Sequence, residues 1–424
     1  MDLSTYLKEN TMSELNNEFF TDLLKDTDFK VASVGSLMHS RKKVTTPLLV
    51  LNCIYGGGLP LGVMSEISGA PGSGKSTFLY QCMGNYQREY PDGVPVIYDM
   101  EASMDTSRLK TLGVDTNKVL RLPATSMEDA FTNMFKILKK LEELQKDHPD
   151  ISSFQIYDSI AAGGTDKQHK AVDSGGNAFG AGTMMEPQRI MKQNLSNVLP
   201  FMEKYPMFLG LINQVFTHVN AYGGASLSSG GGMGLKHICH AHIEFSNPKD
   251  EYDKNFIIGT TSEMQLKKSK LSPKIIGIPC YIDVTNGGRI HEADSFVKYL
   301  INIGLFTTGS YYKFGEYFTD NMIQKYSFLK DHQLLIKILT SSHRKAAIYD
   351  MISKDQDIRN LLQIALIDYI DAIYPAQREI NGEFQKKLMR ECAYFKDVDI
   401  DNLNKVEEVP EEQVEETVEN EENS

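Results

Sequence analysis

Gly69-Ala70-Pro71-Gly72-Ser73-Gly74-Lys75-Ser76 decides how the rest of this chain is read. It fits the pattern G-x-x-x-x-G-K-[ST], whose glycines let backbone N–H groups turn inward around phosphates. A helix following such a loop aims its positive end at the anion. The pattern assigns Gly69, Ala70, Pro71, Gly72, Ser73, Gly74, Lys75 and Ser76 to nucleotide binding, and Thr77, next in the helix, is placed there with them. Lys75 then reaches the β- and γ-phosphates, and the Ser76 hydroxyl binds Mg²⁺. The flanks agree with the motif: residues 63–68 (VMSEIS) read as a short strand, and a helix begins at Lys75. A glycine-rich turn that binds nothing has no need of that context.

Downstream, the pattern of strand, loop and helix repeats. Residues 94–99 (VPVIYD) form a strand after a Pro-Asp-Gly turn. Residues 126–146 form an amphipathic helix, with Met127, Ala130, Phe131, Met134, Ile137, Leu138, Leu141 and Leu144 on one face. Ser126 and Asp129 give it a capping-box-like start. Strands follow at 153–158 (SFQIYD) and 207–212 (MFLGLI). Short apolar strands alternating with helices predict an α/β fold with a mostly parallel central sheet covered on both faces. Two glycine-rich stretches, 163–182 and 223–234, interrupt the pattern, and long loops inside a compact domain are usually functional or disordered.

The expected organisation is a short helical segment over 1–45, an ATPase core over 46–290, a small helix-rich domain over 291–400 and an acidic tail over 401–424. In the first segment Leu15, Phe19, Phe20, Leu23 and Leu24 recur at helical spacing. Their stripe suits docking on the chain's own core or on a neighbouring subunit.

Nucleotide chemistry needs an acid to position the metal and a group to act on the γ-phosphate. Asp158 closes the apolar run 154–157 and takes the metal role; capping the following helix is the alternative. Glu101 follows the strand ending at Asp99, which places it at the same sheet edge as a candidate base. The strand at 207–212 is expected to finish in Asn213-Gln214, with Gln214 able to sense γ-phosphate and move the glycine-rich loop after it. His237, Cys239, His240 and His242 invite a check as a metal site. On a strand they point alternately to opposite faces, so they read as structural.

The 424 residues carry 44 Lys plus Arg and 56 Asp plus Glu, a formal net charge of −12. At 41% hydrophobic and 24% charged, the composition is that of a globular protein and excludes wholesale disorder. No apolar run is long enough to span a membrane, the first residues form no secretory signal, and five scattered cysteines suit a reducing compartment. A cytoplasmic setting is therefore expected. Net acidity ordinarily argues against nucleic acid as a partner. Nine of the twelve net charges, however, are the glutamates of residues 406–424, a stretch without Lys or Arg. The body is almost neutral and the tail is a solvated acidic run. Single-strand binding needs backbone cations and π-faces. The first glycine-rich stretch offers Lys167, His169, Lys170 and Phe179; the second offers Phe216, His218, Tyr222 and the backbone of Gly230, Gly231 and Gly232.

Together these motifs resemble the RecA recombinases and their phage UvsX-type branch, over roughly residues 50–290. Gly57-Gly58-Leu59-Pro60-Leu61-Gly62 runs into the strand before the P-loop as in that family. Tyr98-Asp99-Met100-Glu101 resembles the segment carrying the catalytic glutamate, Tyr157-Asp158-Ser159 the Walker B strand, and Ile212-Asn213-Gln214 the γ-phosphate switch. The run 229–234 (SGGGMG) is closest to the phage branch. The resemblance implies a RecA-like ATPase that uses ATP and Mg²⁺. It implies filaments on single-stranded DNA, pairing with homologous duplex, and single-strand-binding and loader proteins as partners. If phage-encoded, the protein would work in the bacterial host cytoplasm. It makes 163–182 and 215–234 the DNA-binding loops, and Lys268 and Lys270 cations that touch a neighbour's γ-phosphate. Asp105 and Arg108 fall at positions facing adenine, Arg108 where the family often has an aromatic residue. A ring helicase or other translocase, and a non-catalytic ATP-gated scaffold, are the alternative functions. The lysines at the trans position and the short N-terminal part disfavour the first, and Glu101 the second.

Overall fold

The computed structural model describes residues 41–102, 104–173, 185–219, 225–229, 232–401 and 403. The chain divides into two units, Met1–Arg41 and Lys42–Ser424, and of the first only Arg41 is described. The expected N-terminal helix and the tail beyond residue 403 therefore lie outside the described residues.

A small antiparallel pair, β1 (Lys43–Val44) and β2 (Leu59–Pro60), brackets α1 (Leu49–Ile54) and leads into β3 (Val63–Gly69). Then come α2 (Lys75–Glu89), β4 (Val94–Asp99), α3 (Thr106–Thr111), β5 (Leu120–Pro123), α4 (Met127–Asp147) and β6 (Ser153–Asp158). After α5 (Asp166–Asp173) and α6 (Glu186–Lys204), β7 (Met207–Val219) and β8 (Ala225–Ser229) form a hairpin that leads to α7 (Gly232–Ile238). β9 (Ala241–Asp253), β10 (Phe256–Ser269), β11 (Ile278–Asp283) and β12 (Arg289–Ile290) complete one large mixed sheet, ordered β12-β11-β10-β9-β3-β7-β6-β4-β5. The run from β9 to β5 is parallel and the β9–β12 flank antiparallel.

Side chains alternate between two apolar layers, as strand geometry requires. In β7, Phe208 and Ile212 face one layer with Phe78 of α2, while Leu209 and Leu211 face the other with Phe131 of α4 and Leu195 of α6. The α4 stripe buries Met127, Ala130, Phe131, Met134, Leu138 and Leu141 as its periodicity predicts; Ile137 and Leu144 are half-buried. Its cap is real but displaced. Ser126 Oγ accepts the Asp129 N–H, whereas the Asp129 carboxylate returns to the N–H of Thr125 rather than of Ser126.

The C-terminal region is helical, with α8 (Glu292–Asn302), α9 (Glu316–Lys325), α10 (Gln333–Thr340), α11 (Lys345–Lys354), α12 (Gln356–Ile373) and α13 (Arg378–Arg390). It does not have a core of its own. Leu361, Ile364 and Leu366 of α12 belong to the same buried cluster as Leu51 and Ile54 of α1 and Phe78 of α2.

Three local expectations are corrected. β7 does not stop at Asn213-Gln214 but continues to Val219, because its far half finds a ladder partner in β8. The glycine-rich stretches are not wholly irregular: α5 lies in the first, and β8 and the start of α7 in the second. His237, Cys239, His240 and His242 do not share one strand. His237 is in the last turn of α7, and only His242 is in β9.

Candidate functional site

β3 ends at Gly69, where the backbone turns with φ near +153°. A Cβ there would lie 2.2 Å from the Phe245 carbonyl oxygen of neighbouring β9, so no side chain fits. The loop closes on Gly74, left-handed at φ +99°, from which α2 starts. Lys75 is buried, and its Nζ donates to the Ala70 carbonyl at 2.7 Å. Burial lowers the Lys75 pKa, with the charges of Asp158 and Glu101 opposing. Among the described residues Ser73 Oγ is buried without a hydrogen-bond partner. The loop is thus a cradle of backbone N–H groups with a cation and a spare hydroxyl, which suits an oxyanion.

The acids stand beside it. β4 and β6 are parallel neighbours in register, with Asp99 opposite Asp158. Asp158 Oδ2 accepts a 2.6 Å hydrogen bond from Tyr80 of α2. Burial pushes the Asp158 pKa up to about 6; bonds from Tyr80 and Ser76 hold it down, while Glu101 and Asp99 raise it further. Asp158 does not cap the short helical turn that follows, since Ser159 occupies the cap position. Glu101 is exposed on the loop after β4, and its Oε1 accepts from Ser159 Oγ at 2.6 Å. A buried carboxylate bonded to the Ser76 hydroxyl is an all-oxygen, hard donor pair, which fits Mg²⁺.

A cleft of about 450 Å³ opens from the P-loop, lined by Ser76, Thr77, Arg108, Thr260, Ile282 and Gly288 among others. Arg108 lies along it, its Nη2 donating to Thr77 Oγ1 at 2.8 Å. Asp105 is not in the lining. It is the N-cap of α3, with its carboxylate accepting from the Ser107 N–H and hydroxyl.

Gln214 is half-buried opposite Gly69 in the β3–β7 ladder, at the first residue of the P-loop. Asn213 faces the sheet interior, donating to buried Glu66 at 2.7 Å. His242 completes this buried group, with Nε2 2.7 Å from Ser68 Oγ and 3.9 Å from Glu66. Of the two amides, Asn213 is bonded inside the sheet and Gln214 stands level with the first residue of the P-loop.

Lys268 and Lys270 are elsewhere. Lys268 is level with His242, and His242 with Glu66, so it lies three residues (~10 Å along the strand) back from Gly69 and two strands across, while Lys270 lies just past the end of β10. Lys268 Nζ donates to the carbonyls of Lys236, His237 (3.1 Å) and Cys239 (2.8 Å), capping the C-terminal end of α7. Lys270 is exposed. Of the DNA-binding candidates, Lys167, His169 and Lys170 are exposed on α5. Phe216 and His218 are on β7 and Gly232 begins α7, but the side chains of the first two lie outside what is described. Phe179, Tyr222, Gly230 and Gly231 lie outside the described residues.

Sequence patterns give no sign of Tyr80, Arg121 or the wall formed by Thr260 and Ile282. Tyr80 lies on the P-loop helix but meets an acid 78 residues away, Arg121 and the wall of Thr260 and Ile282 come from other elements, and none sits in a motif. A tyrosine among apolar helix residues, or an arginine in a short strand, carries no local mark of the carboxylate it meets.

These features define an α/β P-loop protein with an acidic corner, Asp99, Asp158 and Glu101, beside the loop. Residues 26–287 match the RecA N-terminal domain family, which is more than half of the chain. It is 26% identical to Protein RecA of Ureaplasma parvum serovar 3 over 329 residues, covering 76% of this chain and 88% of that protein. It is 25% identical to Protein RecA of Aquifex aeolicus over 307 residues (72% and 84%), and 24% identical to that of Chlorobium limicola over 284 (66% and 76%). The chain belongs to the RecA family of recombinases. That family comprises DNA-dependent ATPases that act on DNA with ATP and Mg²⁺. Among the described residues no helix is long and apolar enough to cross a membrane.

Proposed function

We propose that this chain is an ATP-dependent recombinase of the UvsX type, which assembles as a helical filament on single-stranded DNA and promotes pairing and strand exchange with homologous duplex. The observation that carries this reading is the split of the machinery. The P-loop, Asp158, Glu101 and Gln214 lie at one sheet edge, while Lys268, level with Glu66 and bonded to the end of α7, and Lys270, just past the end of β10, lie away from that edge. A second copy would have to supply them, which is the logic of a filament with ATP between subunits.

In this reading the P-loop N–H groups and Lys75 hold the phosphates, and Arg108 packs along the base and sugar. Ser76 and Asp158 would hold Mg²⁺, which would neutralise charge on the phosphates. Glu101 orients and deprotonates the attacking water. Gln214, next to the P-loop on one side and continuous with the β7–β8 hairpin on the other, links the γ-phosphate to the second DNA loop. Asp105 contributes by holding α3, and through it Arg108. The DNA loops are 163–182 and 215–234, with Lys167, His169 and Lys170 facing the backbone. Boundaries at residues 45, 290 and 400, with 291–400 sharing the core of 46–290, action in the cytoplasm, and cooperation with single-strand-binding and loader proteins belong to the same proposal.

Joint-molecule formation tests it: the protein, ATP, a labelled single strand and homologous duplex. Absence of joint molecules combined with unwinding of a forked duplex would replace it with the translocase reading. Lys75→Ala should abolish turnover. Glu101→Gln should bind nucleotide and DNA yet not hydrolyse; hydrolysis at the wild-type rate would remove Glu101 from the base role.

A further inference from the structure

We infer that Arg121 is a positioning residue for Glu101, acting through Asp99; this rests on the base role proposed for Glu101. Asp99 is the last residue of β4 and is almost wholly buried, with its side chain 3% exposed. Both of its oxygens are engaged. Oδ2 accepts from Arg121 Nε at 2.9 Å and Nη2 at 2.6 Å. Oδ1 accepts from the backbone N–H of Ala102 at 2.9 Å. Ala102 is one of two described non-glycine residues with positive φ, at +51°. A left-handed non-glycine residue is held there only when its surroundings impose it. Here the imposing contact is the Asp99 carboxylate, which folds the 100–102 loop back over the strand end.

Glu101 is the middle of that loop. One neighbour, Met100, is tied by its N–H to the Asp158 carbonyl at 2.8 Å, and the other, Ala102, to Asp99. The glutamate is thereby pinned between the metal-binding strand and the Asp99–Arg121 pair, with its own carboxylate on Ser159.

Arg121 is what makes Asp99 tolerable. Asp99 adjoins Asp158 in the ladder and shares the corner with Glu101, and both Asp99 and Glu101 push the Asp158 pKa up. Among the described residues, Tyr80 from α2, Asp158 from β6, Glu101 from its own loop and Arg121 from β5 gather at this corner; Lys75 interacts with Asp158 and Glu101, and the cation bonded to Asp99 itself is Arg121. It comes from the edge strand, opposite Ile97 and diagonal to Asp99. With the Arg121 side chain 47% exposed, such an ion pair contributes little to global stability. Its effect is local. Without the fork, the Asp99 carboxylate loses the contact that fixes its orientation and turns toward solvent, and Ala102 loses its anchor.

The test is steady-state DNA-stimulated ATP hydrolysis by the full chain, for wild type, Arg121→Gln, Arg121→Lys, Asp99→Asn and the Asp99→Asn/Arg121→Gln double variant. A misplaced base costs on the order of tenfold to a hundredfold in kcat. That loss is expected in Arg121→Gln and Asp99→Asn, with KM for ATP and affinity for a fluorescent ATP analogue unchanged. Arg121→Lys, which keeps the charge but not the fork, should recover part of the rate. The double variant should be no slower than Asp99→Asn alone, because the two residues act as one unit. Wild-type kcat in Arg121→Gln, a KM effect in its place, or losses that multiply in the double variant would each overturn the inference. Should Arg121→Gln not fold, wild-type kcat in Asp99→Asn overturns it equally. Glu101→Gln is run alongside. If that variant hydrolyses ATP normally, the base assignment has failed; if it is inactive while Arg121→Gln and Asp99→Asn are normal, only the positioning inference has.

Discussion

Replacing Asp158 with asparagine should make the nucleotide-free protein more stable and inactive. Burial raises the Asp158 pKa from 3.8 to about 6, against the pull of the Tyr80 and Ser76 hydrogen bonds. An acid whose folded pKa lies above its unfolded value binds more protons in the folded state. Its charge therefore destabilises the fold above pH 6, progressively less as pH falls from 6 toward 3.8, and not at all below that. The shift corresponds to about 3 kcal/mol at pH 8. Asparagine keeps the shape and can still accept from Tyr80, but it never ionises. With ~2.1 cal/mol/K of unfolding entropy per residue over roughly 340 described residues, 3 kcal/mol is about 4 °C in Tm. Thermal unfolding of both proteins without nucleotide or divalent cation, at pH 8 and pH 4, should show that gap at pH 8 and its closure at pH 4. A gap of the same size at both pH values, or a less stable Asp158→Asn at pH 8, would refute the claim that a buried carboxylate is kept charged here for function.

His242 titrates in the opposite sense. Burial lowers its pKa from 6.5 to about 4, so it stays neutral in the fold while the unfolded chain takes up a proton. Stability should fall as pH drops from 6.5 to 4, by about 3 kcal/mol from this residue, and His242→Gln should flatten that slope in urea unfolding. Gly69→Ala places a Cβ against the Phe245 carbonyl and should cost about 2–4 kcal/mol together with nucleotide binding, measured by denaturation and by titration with an ATP analogue. Deleting residues 406–424 should strengthen duplex binding at low salt, and the gain should vanish near 1 M salt, where screening falls to about 3 Å. Equal affinity with and without the tail at low salt would make it a solubilising segment only.

Features built from residues adjacent in the chain are legible in the sequence. The P-loop, the strands ending at Asp99 and Asp158, and the stripe of α4 follow from spacing alone, because hydrogen-bond geometry within a loop, strand or helix is local. Legibility ends where a ladder partner is needed. Asn213-Gln214 resembles a strand end until β8 pairs with Val215 to Val219, and the Gly223–Gly234 stretch reads as loop because glycine gives no periodicity. The histidines from 237 to 242 read as one strand because alternation has no way to announce a helix that ends at Ile238.

The nucleotide-binding class, the order of the chemical motifs and the segregation of acidity into the tail are written in contiguous residues. Which charges answer one another is set by the packing of distant strands and helices. Tyr80 meets Asp158 across 78 residues, Arg121 meets Asp99 across 22, and Lys268 caps α7 rather than its own phosphate site. Buried carboxylates must be paired by whatever the fold brings near, and strand order, not chain order, sets that choice.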